Sequence, residues 1–217
     1  MSSRTRTPLN KERVLAAAVA LADADGVESV SMRRIAQELG VEAMSLYNHV
    51  ANKDEILDGL VEAVAGEIEP PPDGVDWKSA LRHILVSAHE TLLRHRWAQS
   101  LWMARGAPGP ARLRYAESIL RTLREAGFSA ELTYHAFHIV EALVLGVTTQ
   151  HMSVPARRDE FSDMAERFLS RLPEGEVPYL IEHVKQHLEP REGQRGFEFA
   201  VDLIVDGLDR ARDDASA

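Results

Sequence analysis

The sequence predicts an all-α protein with two helical domains. Apolar residues in every long segment recur at helical spacing, and no segment shows the strict alternation of a half-buried strand. Near the N-terminus, residues 31–53 have the pattern of two short helices joined by a glycine turn. Three consecutive prolines at 70–72 end the helical pattern that precedes them, because proline does not continue a helix. We therefore divide the chain at residue 69, into domains at 1–69 and 70–217.

Composition limits the kinds of protein that this chain can be. Its 217 residues are enough for one large or two small domains, with a core that needs no covalent cross-links. Cysteine is absent, which excludes disulfides and thiolate metal or redox sites. There is no secretory signal, and no apolar run approaches the ~18 residues that span a membrane. We expect a cytoplasmic protein with no membrane partner.

Capping residues mark the first two helices. Asn10 is a good N-cap for a first helix that ends at Gly26. Ser31 caps the second helix, and Gly40 follows it where a glycine commonly ends a helix in the left-handed conformation. A third helix begins at once, so this stretch is predicted to be a helix-turn-helix.

The third helix is predicted over residues 42–50, with Leu46 and Val50 facing inward. Its other positions carry little charge and many small or hydrogen-bonding groups, which suits a helix in a groove of DNA. The net charge of −9 argues against non-specific coating of nucleic acid, but it does not exclude binding by one face. These outward positions are Ala43, Met44, Ser45, Tyr47, Asn48 and His49.

The rest of the chain also has helical periodicity. A linking helix over 53–69 starts after the N-cap Asn52 and carries apolar residues at i, i+4 spacing. Further helices are expected at about 77–95, 97–103, 111–126, 130–152 and 194–212, with shorter ones before the last.

The helices at 130–152 and 194–212 have apolar faces wider than packing within one chain requires. Each contains a glycine, Gly146 or Gly207, which destabilises a helix by about 1 kcal/mol relative to alanine. Close helix–helix approach would offset that loss. We therefore expect these two helices of each subunit to form a four-helix interface in a homodimer.

At residues 31–53 the sequence resembles the tetracycline-repressor family of bacterial transcriptional regulators. The matching features are the RRIAQELGV core, the LYNHV segment at 46–50, and Asn52-Lys53 at the start of the fourth helix. The resemblance covers residues 9–65 strongly. It continues more loosely through the C-terminal domain, which looks most like the tetracycline-repressor branch. It implies a homodimer, a palindromic double-stranded DNA operator and a small-molecule inducer bound by the C-terminal domain.

The resemblance also assigns DNA-contacting roles, and the residue types agree with it. The ring of Tyr47 can pack on sugar or a thymine methyl, although it would alternatively cover the small core of the domain. His49 and Lys53 lie where a phosphate meets both side chains and free helical N–H groups. Ala43 and Met44 differ from the tetracycline repressor, so its operator sequence is not inherited. The predicted DNA-binding set is Arg33, Ala43, Met44, Ser45, Tyr47, Asn48, His49 and Lys53.

Tetracycline is not the expected effector. Alignment with the tetracycline repressor places Glu69, Ile84, Met103 and Gln150 at positions of key polar ligand or metal residues, and this set cannot rebuild an oxygen-ligand cage. A mostly apolar lining favours a hydrophobic or amphipathic ligand instead, unless these residues are simply domain core. The predicted ligand-binding set is Ile84, Ala88, Leu92, Trp97, Leu101, Trp102, Met103, Leu120, His135 and His138.

Other chemistry has little support in the sequence. His135, His138 and Glu141 are spaced i, i+3, i+6, but no second cluster of ligands accompanies them, so no metal site is predicted. Ser87 has no nucleophile-elbow context, and no glycine-rich phosphate loop is present. We expect no catalytic residues and no cofactor.

These observations predict a ligand-responsive transcriptional repressor that is not an enzyme. As the resemblance implies, ligand binding would move the 53–69 helix and weaken operator binding. Two alternatives stay open: a regulator that activates transcription, and a helical enzyme or small-molecule binding protein that uses its N-terminal domain for assembly.

Overall fold

The computed structural model describes residues 8–105, 107–153, 158–173, 175–188 and 195–216, and all regular structure in these ranges is helical. The predicted all-α class is therefore confirmed. A short 3₁₀ helix at Val27–Ser29 accompanies eleven α-helices in those ranges. They are α1 (Lys11–Asp25), α2 (Met32–Leu39), α3 (Ala43–Leu46), α4 (Lys53–Gly66), α5 (Trp77–Arg94), α6 (Ala98–Ala104), α7 (Pro110–Glu125), α8 (Ala130–Ser153), α9 (Arg158–Leu169), α10 (Pro178–Leu188) and α11 (Arg195–Ser216).

The predicted capping residues begin the helices of the N-terminal domain. The side chains of Asn10, Ser31 and Asn52 each accept a hydrogen bond from the backbone N–H three residues later, at 2.9, 3.3 and 2.9 Å. Gly40 ends α2 with φ of +64°, a conformation in which a side chain would be strained. Local side-chain chemistry therefore sets the ends of these helices.

Helix α4 belongs to both halves of the molecule. It packs against α1 on one side and against α5, α6 and α7 on the other. Its inward residues Ile56, Leu60 and Val64 have no exposed surface. The helix ends at Gly66, three residues before the predicted end, because the Glu67 N–H turns back to the Val64 carbonyl and closes the last turn at 3.1 Å. One continuous core connects the two domains through this helix.

The C-terminal half is a bundle in which α5 contacts α7, α8 and α11. Ala136, Val140 and Val144 bury one face of α8 against these neighbours. The other faces of α8 and α11 hold large exposed apolar side chains. These are Tyr134, Ile139, Phe199 and Leu203.

Candidate functional site

Helix α3 is shorter than the sequence predicted. Instead of residues 42–50 it covers Ala43–Leu46, and residues 47–49 form turns. The Tyr47 N–H bonds to the Met44 carbonyl at 3.3 Å, and the His49 N–H bonds to the Leu46 carbonyl at 2.8 Å. These i to i−3 bonds tighten the end of the helix, which commonly happens where no capping residue satisfies the last carbonyls. Tyr47 and His49 therefore project from a turn and not from an α-helix.

Burial of Leu46 and Val50, at 0% and 2% exposure, fixes the orientation of this segment. As a result Met44 and Tyr47 point outward and are 73% and 48% exposed, so the ring of Tyr47 is not enclosed by the core. Among the other predicted DNA-contacting residues, Arg33, Asn48 and Lys53 are exposed, while Ala43, Ser45 and His49 are half-buried.

The polar side chains of this surface have no partners in the part of the chain that the structure describes. Neither the guanidinium of Arg33 nor the ammonium of Lys53 forms an ion pair there, in contrast to Arg34, which binds Asp25. Two cations are therefore available to an external anion.

Lys53 lies at the N-terminal end of α4, whose first turn also carries the acids Asp54 and Glu55. Asn52 caps the helix, and the Glu55 carboxylate accepts hydrogen bonds from the Ala51 N–H at 2.6 Å and from the Lys11 ammonium at 2.5 Å. The bond from Ala51, followed by that from Lys11, lowers the pKa of Glu55. The Glu55 carboxylate is therefore paired within the chain, whereas the Lys53 ammonium has no ion-pair partner among the described residues.

Arg105, at the end of α6, holds the outer face of α4. Its guanidinium donates to the Asp58 carboxylate at 2.5 Å and to the Asp54 carboxylate at 3.2 Å. It also donates to the Asp54 backbone carbonyl at 2.6 Å. The C-terminal domain thus holds the first two turns of α4, the helix that follows residues 43–50, called the recognition segment below.

Glu62 makes a second connection, in the opposite direction. Its carboxylate accepts the backbone N–H groups of Gly109 at 3.1 Å and Ala111 at 2.6 Å, at the start of α7. Gly109 has no side chain to cap that helix. Glu62 therefore caps a helix of the other domain, and a Cβ at position 109 would overlap its carboxyl group.

Asp23 makes a third connection, from α1 to the C-terminal domain. Its Oδ1 lies 2.8 Å from His95 Nδ1 and accepts from the Trp97 indole N–H at 2.7 Å. The other ring nitrogen of His95 lies 3.1 Å from the Glu67 carboxylate. Burial raises the pKa of Glu67, but hydrogen bonds from Arg94 and His95 outweigh it, so that the net shift is downward.

The interior of the C-terminal domain contains a small void of about 10 Å³. Three predicted ligand residues, Ala88, Leu92 and Trp102, lie on its wall. The remaining wall residues are not among those predicted from the sequence to bind a ligand. They are Ile68, Tyr115, Glu141, Val144 and Leu145.

The rest of the predicted ligand set does not share this wall. Ile84 and Trp97 lie in the core, and Leu101 and Leu120 are half-buried, but none of these four borders the void. The placement expected for Met103, His135 and His138 is corrected by the structure, since all three are exposed on the outside of this chain. For the two histidines the reason is the phase of α8, which directs Ala136 and Val140 inward; Met103 lies on α6, on the side away from the buried Ala98 and Trp102. Any ligand role of these residues stays a prediction.

The described ranges hold no group of three or more histidine or acidic side chains that could bind a metal ion. Glu141 points inward, whereas His135 and His138 are exposed, so these residues do not converge.

Comparison with known proteins relates this geometry to a family. Residues 14–60 match the family described as bacterial regulatory proteins, tetR family, and residues 69–212 match the one described as tetracyclin repressor-like, C-terminal domain. The chain belongs to the TetR family. This confirms the resemblance read from residues 31–53, and it assigns the chain to transcriptional regulators rather than enzymes.

The similarity covers almost the whole chain. An HTH-type transcriptional regulator of Saccharopolyspora erythraea is 35% identical over 95% of this chain and 87% of its own length. The HTH-type transcriptional repressor DrrR1 of Streptomyces coeruleorubidus is 32% identical over 93% of this chain and 77% of its own. The structure of the TetR-family protein ActR of Streptomyces coelicolor, in complex with actinorhodin, superimposes with a TM-score of 0.78 at 29% identity, covering 95% of this chain and 99% of ActR.

TetR-family regulators bind DNA operators and small-molecule effectors and act as dimers. Among the helices that the structure describes, none is long and apolar enough to cross a membrane.

Proposed function

We propose that this protein is a ligand-responsive transcriptional repressor that binds a palindromic operator as a homodimer and is released by a small hydrophobic or amphipathic effector. One observation carries the proposal: the exposed recognition segment is followed by α4, and the C-terminal domain holds α4 through Arg105 and Glu62. The repressor DrrR1 and the ligand-bound ActR structure support the repressing mode and the effector. The proposed place of action is the cytoplasm.

The proposed DNA contacts divide by chemistry. Lys53 and His49 bind phosphate, beside the free N–H groups at the start of α4. Tyr47 packs on the sugar or on a thymine methyl group, and Arg33 reaches phosphate or a guanine edge. The outward positions Ala43, Met44, Ser45 and Asn48 complete the surface that reads the operator.

The dimer is supported by the faces of α8 and α11 that this chain leaves exposed. Phe199 and Leu203 of α11 are 64% and 58% exposed, and Tyr134 of α8 is 60% exposed. A Cβ added at Gly146 or Gly207 would meet no atom of the described residues within 4 Å, so their packing inside the subunit does not require these glycines. A second copy of the chain would cover these faces and place two recognition segments about 34–36 Å apart, one turn of DNA.

In this proposal residues 1–69 bind DNA, residues 70–217 bind the effector and form the dimer, and α4 connects the two parts. An effector in the C-terminal domain weakens DNA binding by favouring a position of α4 in which the two recognition segments no longer match the operator. It must bind that state more tightly than the DNA-bound state, because equal affinity for both would shift nothing.

The test is a retardation assay with the DNA upstream of the gene, at several salt concentrations. Wild-type protein should bind that fragment specifically and lose affinity as salt rises. Tyr47→Ala should weaken binding about tenfold or more, since one good base or sugar contact contributes on the order of 1–3 kcal/mol. Tyr179→Ala is the matched control, because Tyr179 is 83% exposed on α10.

Two results would contradict the proposal. Absence of sequence-specific binding by the folded wild-type protein would refute the regulator itself. Loss of helicity in Tyr47→Ala, measured by circular dichroism, would instead give Tyr47 the structural role of covering the core.

A further inference from the structure

Glu141 is an acid on the side of α8 that faces the interior of the C-terminal domain. It lies between the buried residues Val140 and Val144 of α8 and borders the interior void. Its one hydrogen-bond donor in the described part of the chain is the hydroxyl of Tyr115, at 2.7 Å. No lysine, arginine or histidine of those residues lies within ion-pair distance of it.

The nearest cations are engaged elsewhere. The guanidinium of Arg112 donates to the carbonyls of Arg105 at 3.2 Å and Trp102 at 3.3 Å, and His138 is bound to the Tyr134 carbonyl. Burial raises the pKa of Glu141 and outweighs the opposing effects of the Tyr115 hydroxyl and of these distant charges. A half-buried carboxyl group without a paired cation is less favourable as an anion than one in water, so a positive group brought to it would be favoured.

The remaining wall of the void suits an organic group. Ala88, Leu92 and Leu145 are apolar, and Trp102 contributes an aromatic surface. That indole already attracts a cation, since the Arg112 guanidinium lies 5.0 Å from its centroid.

The void itself holds no more than about one water molecule, but a larger space lies beside it. A cleft of about 200 Å³ lies between the end of α4 and α7. Ile68 and Tyr115 form part of the wall of both the cleft and the void. Movement of these two side chains would join the two spaces and open a path to Glu141.

We propose that this interior site binds an amphipathic organic cation, whose protonated amine pairs with Glu141 while its apolar part packs on Trp102 and Leu92. The inference rests on the proposed function, because it names the chemical class of the effector. It disfavours anionic effectors, which would meet the acid, and it gives Tyr115 the role of orienting the carboxylate.

The test compares two probes of nearly equal shape, 1-naphthylmethylamine and 1-naphthalenemethanol, by titration calorimetry near neutral pH. The full-length wild-type protein should bind the protonated amine about tenfold to a hundredfold more tightly, the range expected for a hydrogen bond to a charged group. Glu141→Gln should remove this preference and leave binding of the alcohol unchanged. Glu131→Gln, at an exposed position of the same helix, is the control and should keep the preference.

Equal binding of the two probes by wild type, binding of neither, or a preference that survives Glu141→Gln would each overturn the proposal. The comparison in the wild-type protein decides the matter even if Glu141→Gln does not fold. Wild type that binds its operator but shows no amine preference refutes the cationic class alone. Wild type that prefers the amine but binds no operator refutes the repressor and leaves the binding site in place.

Discussion

Replacing Glu62 by alanine should destabilise the whole protein, although the residue lies at the surface of α4. Its carboxylate accepts the N–H groups of Gly109 and Ala111, at 3.1 and 2.6 Å, and no side chain of α7 replaces it as a cap. Hydrogen bonds to a charged group contribute about 1.5–3 kcal/mol, and loss of an N-cap alone about 1 kcal/mol. Because Glu62 is half-buried, we expect a loss of about 2 kcal/mol in the free energy of unfolding.

For a chain of this size that loss corresponds to a fall of about 4–8 °C in Tm. Thermal unfolding followed by circular dichroism measures it directly. Glu38→Ala removes an exposed glutamate of α2 and should change Tm little. A Tm for Glu62→Ala equal to that of the control would refute the interdomain cap.

Gly109→Ala tests the same contact from the other side. With φ of −84°, position 109 accepts alanine without backbone strain, so any loss of stability comes from displacing the Glu62 carboxyl group. The variant that carries both Glu62→Ala and Gly109→Ala should therefore lose less free energy of unfolding than the sum of the two single losses, because the overlap disappears once Glu62 is alanine. Additive losses would show that the two residues act independently.

Two further predictions follow from single side chains. In the retardation assay, Lys53→Gln should reduce the slope of log affinity against log salt by about 1.8 for a dimer, since each phosphate contact contributes about 0.9 to that slope. Lys185→Gln, on α10, is the control and should leave the slope unchanged. Burial, with a smaller effect of His151, lowers the pKa of His89 from 6.5 to about 4. The unfolded chain therefore takes up a proton first, and stability present above pH 6.5 is lost as pH falls toward 4. In urea unfolding, the free energy of unfolding of His89→Gln should fall less steeply with decreasing pH than that of the wild type, by up to about 1.4 kcal/mol per pH unit. The same pH dependence in both proteins would contradict the lowered pKa of His89.

The parts of the fold that the sequence predicted well are those set by local chemistry. Asn10, Ser31 and Asn52 were identified as N-caps because short polar side chains reach the N–H three residues on, and that geometry needs no knowledge of the rest of the fold. Gly40 was identified because few other residues adopt the left-handed conformation at the end of a helix.

The interior site was less predictable. Helical periodicity shows that Tyr115 faces inward on α7 and Val140 on α8, but it does not show which residues meet across the bundle. Glu141 carried a signal, an acid within an apolar run, but its spacing from His135 and His138 was weighed only as a metal site, which was not predicted. Its actual partner is 26 residues away in sequence and on another helix.

A pattern along α4 connects the two sites. Asp54, Asp58 and Glu62 are spaced i, i+4, i+8 and therefore lie along one face of the helix. All three bind the connection between α6 and α7, the first two through Arg105 and the third through backbone N–H groups of α7.

The same connection joins the two aromatic walls of the interior site. Trp102 precedes it on α6, Tyr115 follows it on α7, and their rings meet edge to face with centroids 5.7 Å apart. A ligand that separates these rings by moving α6 or α7 would act on the acidic face of α4 through Arg105 or Glu62. Packed helices shift between discrete arrangements rather than deform continuously, so under the proposed function a small displacement at the rings would select another position of α4. Lys53 and the recognition segment lie at the N-terminal end of that helix, so the proposed route from effector to operator passes through one row of carboxylates.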